Sequence, residues 1–183
     1  MIYVSKPYST PPLTFKTPLQ EKVYRTLDLL GIDYVRVDTD PAITMEDCDT
    51  IDSFLGTKMV KTLLVCNRQQ TSFYLFVTCG HKPFSTKDFG HSLGISRVSF
   101  ASEQQMTDLL GTERGAATIF SALLQSSENV RIIIDNEVLS EEFYGCSDGT
   151  TTGYMKVRTE CIINEFQRYT GRTFRVVELV PSE

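Results

Sequence analysis

Met59-Val60-Lys61-Thr62-Leu63-Leu64-Val65-Cys66 and, four polar residues later (Asn67-Arg68-Gln69-Gln70), Ser72-Phe73-Tyr74-Leu75-Phe76-Val77-Thr78 decide the fold. Both runs are apolar, β-branched and aromatic, and the polar break between them is short, so they predict a hairpin of central strands. Strands paired in this way need no crossover helix, which argues against a doubly wound parallel sheet.

Outward from this hairpin, helix signals alternate with shorter strands. Thr17-Pro18-Leu19-Gln20 reads as a capping box with proline at the first helical position, Leu19, Val23, Leu27 and Leu30 recur at helical spacing, and Gly31 stops the helix. Tyr34 to Val37 alternates like a half-buried strand. Thr44 caps a second helix with Glu46 and Asp47 at its positive end, and Gly56 closes it. Ser85 and Ser102 open two short helices closed by Gly94 and Gly111, with Val98-Ser99-Phe100 as a strand between them. Val130 to Ile134 predicts a buried strand, residues 145–149 a polar loop, Ile162 to Phe166 a late helix ended by Gly171, and Phe174 to Val180 a last strand. The expected fold class is therefore α+β: a single domain with a mixed, mainly antiparallel central sheet flanked by helices. Residues 1–16, with Pro7, Pro11 and Pro12, form an extended arm, and 17–183 form the domain.

Composition narrows the function. The chain has 183 residues, 41% hydrophobic and 22% charged, enough for one sizeable core. A formal charge of −5 disfavours a protein that coats DNA or long RNA by phosphate neutralisation, yet allows a small basic pocket for one RNA end. No stretch approaches the roughly 18 apolar residues of a membrane span, and no signal peptide is evident, so a cytoplasmic protein without membrane association is expected. Cys48, Cys66, Cys79, Cys146 and Cys161 are scattered and never form a CxxC pair, predicting free, mostly buried thiols. His81 and His91 lack metal spacing and read as surface or cap residues, so neither a metal site nor a cofactor is expected.

Lys61 stands out because it interrupts an otherwise apolar central strand. Its stem could snorkel to water, or its ammonium could be a fixed anion-binding group at a pocket floor, where preorganised charge stabilises an oxyanion. Gly115-Ala116-Ala117-Thr118 combines small side chains after a helix end, suiting either close approach of a ligand to backbone N–H groups or a tight packing turn. Ser147-Asp148-Gly149-Thr150-Thr151-Thr152 is a solvated turn or a polar substrate cradle. Arg131 and the acidic Glu137, Glu141 and Glu142 read as a solvated face.

Taken together, Leu27 to Tyr34, Pro41-Ala42-Ile43-Thr44-Met45-Glu46, Val60-Lys61-Thr62-Leu63-Leu64-Val65, Leu93-Gly94, Val98 to Ser102 and Leu109-Leu110-Gly111 leading to Gly115 occur in an order and spacing that resemble one family. It joins YbaK-type deacylases with the editing insertion of bacterial prolyl-tRNA synthetases, and the likeness is greatest to its freestanding prolyl-tRNA editing members. The resemblance implies metal-free hydrolysis of the ester between an aminoacyl group and the terminal adenosine of tRNA. It implies Lys61 as the functional lysine and Gly115, Ala116, Ala117, Thr118 and Ile119 as the amino-acid pocket loop. Thr44, Thr62, Asp148 and Thr151 follow as further substrate contacts, the 3′ acceptor end of aminoacyl-tRNA as partner, and a cognate synthetase as a second partner. The chain departs from the family pattern at Thr62, where freestanding members have Asn, at Tyr144, Gly145 and Asp148 in place of a His–Pro pair and an Asn, and at Ile119 in place of Pro. The first expected substrate is alanyl-tRNA carrying the proline anticodon, then another small amino acid. The alternative is a noncatalytic module that binds aminoacyl-tRNA or an amino acid on the same fold.

Overall fold

A computed structural model describes residues 2–180. Met1 of the expected arm and residues 181–183 of the expected domain lie outside them.

The helices begin and end where the local chemistry dictates. Helix α1 (Pro18–Leu30) is capped by the Thr17 side chain, which accepts from the Gln20 N–H, and closes on Gly31 at φ 65°. Helix α2 (Met45–Leu55) has a full capping box in which Thr44 and Asp47 satisfy each other's backbone N–H. Helices α3 (Thr86–Leu93) and α4 (Glu103–Leu110) start on Ser85 and Ser102. Strands β1 (Tyr34–Asp38), β2 (Val60–Cys66), β3 (Phe73–Cys79), β4 (Ser99–Phe100) and β5 (Val130–Asp135) fall where the sequence places them.

Residues 145–149 depart from the sequence reading. They were expected to be a loop, yet Phe143–Ser147 is strand β6 and pairs with β7 (Gly153–Arg158) around a tight turn at residues 148–152. Gly145 is strand, not turn: a Cβ there would lie 2.7 Å from the Lys58 carbonyl oxygen, so close backbone approach calls for the missing side chain. The late helix, α5 (159–170), is continuous but wound in the wider π form at Ile162–Phe166, and it ends on Gly171. Strand β8 is Phe174–Val177, shorter than expected.

The sheet is mixed and mainly antiparallel. It is parted into a three-stranded piece, β1-β7-β6, and a five-stranded piece, β4-β2-β3-β5-β8. The β2–β3, β2–β4, β1–β7 and β6–β7 pairs run antiparallel, while β3–β5 and β5–β8 run parallel. The two pieces touch at a parallel bridge between Met59 and Gly145. The main core lies between them, where Leu19, Val23 and Leu27 of α1 and Ile162 and Phe166 of α5 meet Leu75, Val77, Ile132 and Ile134 on one side and Met155 and Val157 on the other. The opposite face of the larger piece is covered by α3 through Phe89 and Leu93 on Val65, Phe76 and Ile133. Each such fully buried side chain stabilises the fold by about 1.5–3 kcal/mol.

The N-terminal arm lies along β1: Tyr8 and Arg36 exchange backbone hydrogen bonds at 2.8 Å, and Val4 bridges Thr39. Each of the five cysteines is a free thiol, but only Cys66 and Cys146 are buried; Cys48, Cys79 and Cys161 are half-buried, fewer buried than composition suggested. Exposed His91 sits in the last turn of α3, and exposed His81 pairs with Asp49 at 3.0 Å.

Candidate active site at the open edge of strand β2

Strand β2 is covered along its outer edge at both ends but not in the middle. Strand β4 pairs with Val65 and Cys66, and the Ala101 N–H donates to the Leu64 carbonyl at 2.9 Å. At the other end, Gly145 bridges Met59. Backbone groups of an antiparallel strand point alternately to either side, so Thr62, two residues from Leu64, turns its N–H and C=O outward into the uncovered gap. A cavity of about 550 Å³ opens there, lined among others by Lys61, Thr62, Gly115, Ala117, Ala42 and Tyr154.

Lys61 is half-buried on the cavity wall. Its ammonium donates to the main-chain carbonyl of Lys82 at 2.7 Å. An ammonium has three donors, so two remain for a ligand. Burial holds its pKa below the ordinary lysine value, and no carboxylate pairs with it among the described residues.

The facing wall is the loop around Gly115, whose φ of +88° belongs to the left-handed region. A Cβ at Gly115 would sit 3.2 Å from the Ile43 Cα, so the loop packs directly on the segment before α2. That segment is pinned from three sides. The Ala42 N–H donates to the Thr151 carbonyl at 2.8 Å, the Tyr154 hydroxyl donates to the Ala42 carbonyl at 2.7 Å, and Asp47 accepts from the Ile43 and Thr44 N–H groups. These backbone bonds at Thr44 and Ile43 hold the Asp47 carboxyl below its usual pKa.

Of the residues named from sequence, Lys61, Thr62, Gly115 and Ala117 meet at the cavity. Ala116, Thr118 and Ile119 are fully buried behind it, where Thr118 caps the short 3₁₀ helix Ile119–Leu123. Thr44 is exposed at the cap of α2, between the cavity residues Ile43 and Met45. Thr151 holds both parts of the facing wall from behind: its carbonyl fixes Ala42, and its hydroxyl donates to Glu113 at 3.1 Å. Asp148 is 0% exposed and away from the cavity. Its carboxylate accepts from Gln20 at 2.9 Å, from the Tyr24 hydroxyl at 2.8 Å and from the Thr150 N–H and hydroxyl, tying α1 to the β6–β7 turn. Burial raises its pKa while those four donors oppose the rise.

Tyr144 and Gly145 also stand behind the wall. The Tyr144 hydroxyl is buried without a hydrogen-bond partner of good geometry, although Thr62 is the polar side chain that acts on it. Sequence reasoning missed Met45, Cys48, Met59, Met106, Arg114, Cys146 and Tyr154 as wall residues. Their signal was weak because single apolar residues in helices and strands read as core, and Arg114 stands in a turn where a lone charge reads as solvated. Burial first, then the carboxylates of Asp52, Asp47 and Asp49, push the Cys48 thiol up to about 11; burial likewise raises Cys146 and Tyr154. These wall groups are thus neutral donors at pH 7, and the charged wall residues are Lys61, Arg114 and Glu103.

The fold occurs in solved structures. A candidate trans-editing enzyme for prolyl tRNA synthetase superposes with a TM-score of 0.64 at 15% identity, covering 90% of this chain and 99% of that one. A scaffold protein used for computational epitope backbone grafting superposes at 0.65 and 17% identity, covering 91% and 99%. In sequence, the prolyl-tRNA editing protein ProX of Acetoanaerobium sticklandii is 24% identical over 160 residues, 87% of this chain and 97% of its own length. The family model of the aminoacyl-tRNA editing domain matches residues 39–164, more than half of the chain and the whole stretch from the Ala42 rim to the β7 strand. This chain therefore belongs to the aminoacyl-tRNA editing domain family, and it is an aminoacyl-tRNA deacylase.

Proposed function

We propose that this deacylase acts in trans on tRNA carrying a small, wrongly attached amino acid, with alanyl-tRNA of the proline anticodon as first substrate, and that Lys61 is its catalytic residue. The observation that carries the reading is the Lys61 ammonium at the cavity wall, with two donors unused and no carboxylate paired to it among the described residues. Water attacks the ester carbonyl carbon, the bond from that carbon to the ribose oxygen breaks, and the ribose oxygen leaves with a proton. The products are a free amino acid and tRNA with an intact 3′ end. Charge that builds on the carbonyl oxygen is stabilised by the preorganised ammonium and the outward Thr62 N–H, and orientation of a reactive ester supplies the rest. The wall thiols and phenol are held protonated by burial, which favours water over a side-chain nucleophile.

Gly115, Ala117, Ala42 and Ser147 give the wall small side chains, which supports a small acyl group. ProX, by its name, edits prolyl-tRNA, which supports the tRNA assignment. No helix among the described residues is long and apolar enough to cross a membrane. A cytoplasmic site of action, and docking to the synthetase that makes the error, follow from this reading. The departures at Tyr144, Gly145 and Asp148 lie behind the wall, so they leave the charged groups of the cavity in place.

The test is deacylation of alanyl-, seryl-, threonyl-, cysteinyl- and prolyl-tRNA by the wild type and by Lys61→Ala. Selective hydrolysis by the wild type, lost in the variant, is expected. Equal inactivity of both across the panel would overturn the reading.

A further inference from the structure

On the face of the larger sheet that α3 covers, beyond the end of that helix, lies a second cleft of about 480 Å³ that shares no lining residue with the cavity at Lys61. Its floor is apolar, with Leu93, Ile95 and Ile133, and three arginines stand around it: Arg131, Arg172 and Arg175. The strand register explains the first and last. Arg131 lies opposite Tyr74, and Arg175 lies opposite Ile133, two residues further along β5 on the same face. The two guanidiniums therefore project from one sheet face as diagonal neighbours, a like-charge pair that costs stability unless something anionic lies between them.

Among the described residues, Glu128 is the only carboxylate that lines the cleft. Arg131 donates to the Tyr74 hydroxyl at 3.3 Å and forms no ion pair among the described residues; nor does Arg175. Both are exposed. Arg172 is fixed from below, donating to the Ser127 hydroxyl at 3.1 Å and to the Val130 carbonyl, and Glu128 is the carboxylate that acts on it. Three guanidiniums beside one carboxylate run against a chain whose formal net charge is −5. Forked donors around an apolar floor match an oxyanion of high charge better than a single carboxylate, which one arginine already satisfies.

We infer that this cleft is a phosphate-binding site, taking either a backbone phosphate of bound RNA or a small phosphate ester. At about 3.4 Å per residue along a strand and 4.8 Å between strands, it lies on the order of 20 Å from Lys61. The inference does not depend on the chemistry assigned to Lys61.

The probe is inorganic pyrophosphate, titrated calorimetrically at low salt into the wild type, Lys61→Ala and the double variant Arg131→Gln/Arg175→Gln. Arg172 is left intact because it braces the turn before β5. Saturable binding by the wild type and by Lys61→Ala, weakened at least about tenfold in the double variant, is expected from the loss of two charge-assisted contacts. Both substituted side chains are exposed, and the like-charge pair is relieved, so the double variant should melt no lower than the wild type. Absence of saturable binding to the wild type, or equal binding to the double variant, would overturn the inference. Uncharged tRNA then separates the sources: competition with pyrophosphate, together with weaker tRNA binding by the double variant, identifies the RNA backbone. Unchanged tRNA binding alongside lost pyrophosphate binding identifies a small phosphate ester.

Discussion

The Lys61 ammonium rests on the main-chain carbonyl of Lys82 at 2.7 Å, and the Lys82 ammonium in turn reaches Asp135 at 2.8 Å and Glu137 at 2.9 Å. Asp135 is 1% exposed at its side chain and also accepts from the Thr78 hydroxyl at 2.7 Å. The position of the cavity lysine is thus set by a chain of contacts that ends in a buried carboxylate. Burial works to lower the Lys82 pKa, but Asp135 and Glu137 outweigh it and raise it.

Replacing Lys61 with Ala should lower the deacylation rate about 10²–10³-fold, the loss usual for one preorganised oxyanion donor. Because the side chain is half-buried and its hydrogen bond is made to a carbonyl in a loop, the melting temperature should move little. Single-turnover hydrolysis and a thermal melt measure the two; a variant with wild-type rate would remove Lys61 from the mechanism.

Lys82→Met should destabilise the fold by about 3–5 kcal/mol, because it strands Asp135 as a buried charge without its partner. Urea unfolding measures it. Lys82→Met/Asp135→Leu should recover most of the loss, since removing both charges leaves nothing unpaired.

Gly115→Ala should cost about 1–2 kcal/mol from the left-handed backbone alone. The new methyl also crowds the Ile43 Cα, so the rim before α2 must move and deacylation should fall with stability. An Ala variant as stable and active as the wild type would show that this wall is not held by close packing.

Asp148 links stability to pH. Its folded pKa lies above its ordinary value of 3.8, so the folded state holds this proton more tightly than the unfolded chain does. Its contribution is therefore fully present below 3.8 and declines as pH rises from there through the raised folded pKa. Asp148→Asn should abolish that part of the slope, and should be less stable near pH 7 because its NH2 group replaces one carboxylate oxygen and so faces two of the four donors. Melting curves of both proteins across the acidic range test it; parallel slopes would count against the assignment.

Tyr144→Phe should leave stability unchanged or raise it by up to about 1 kcal/mol, since it removes a buried hydroxyl whose one polar neighbour, Thr62, is not placed for a hydrogen bond of good geometry. A loss above that range would mean that the hydroxyl has a partner worth keeping.

The sequence was most legible where structure is local. Thr17, Thr44, Ser85 and Ser102 cap helices as read, and Gly31, Gly56, Gly94, Gly111 and Gly171 end them in left-handed backbone, because each signal acts within four residues. Lys61 was legible because a charge in an apolar strand demands an explanation from the strand alone. Gly145 misled for the complementary reason: glycine and serine in one short run mean a turn locally, whereas here the glycine makes room for Lys58 and Met59 in the segment that leads into β2. Thr151 and Asp148 were singled out for their polarity, but only the three-dimensional arrangement shows that one clamps the cavity rim and the other anchors α1.

The arm along β1 also has a bearing on solubility. Strand β1 forms the outer margin of the three-stranded sheet, and the backbone pairing of Tyr8 with Arg36 and of Ser5 with Asp38 occupies the row of groups that would otherwise face another molecule. A chain trimmed to the helix-capped domain would present an unguarded strand margin, the surface on which misassembly between copies begins. The proline-containing arm in this sense shields the margin of its own sheet.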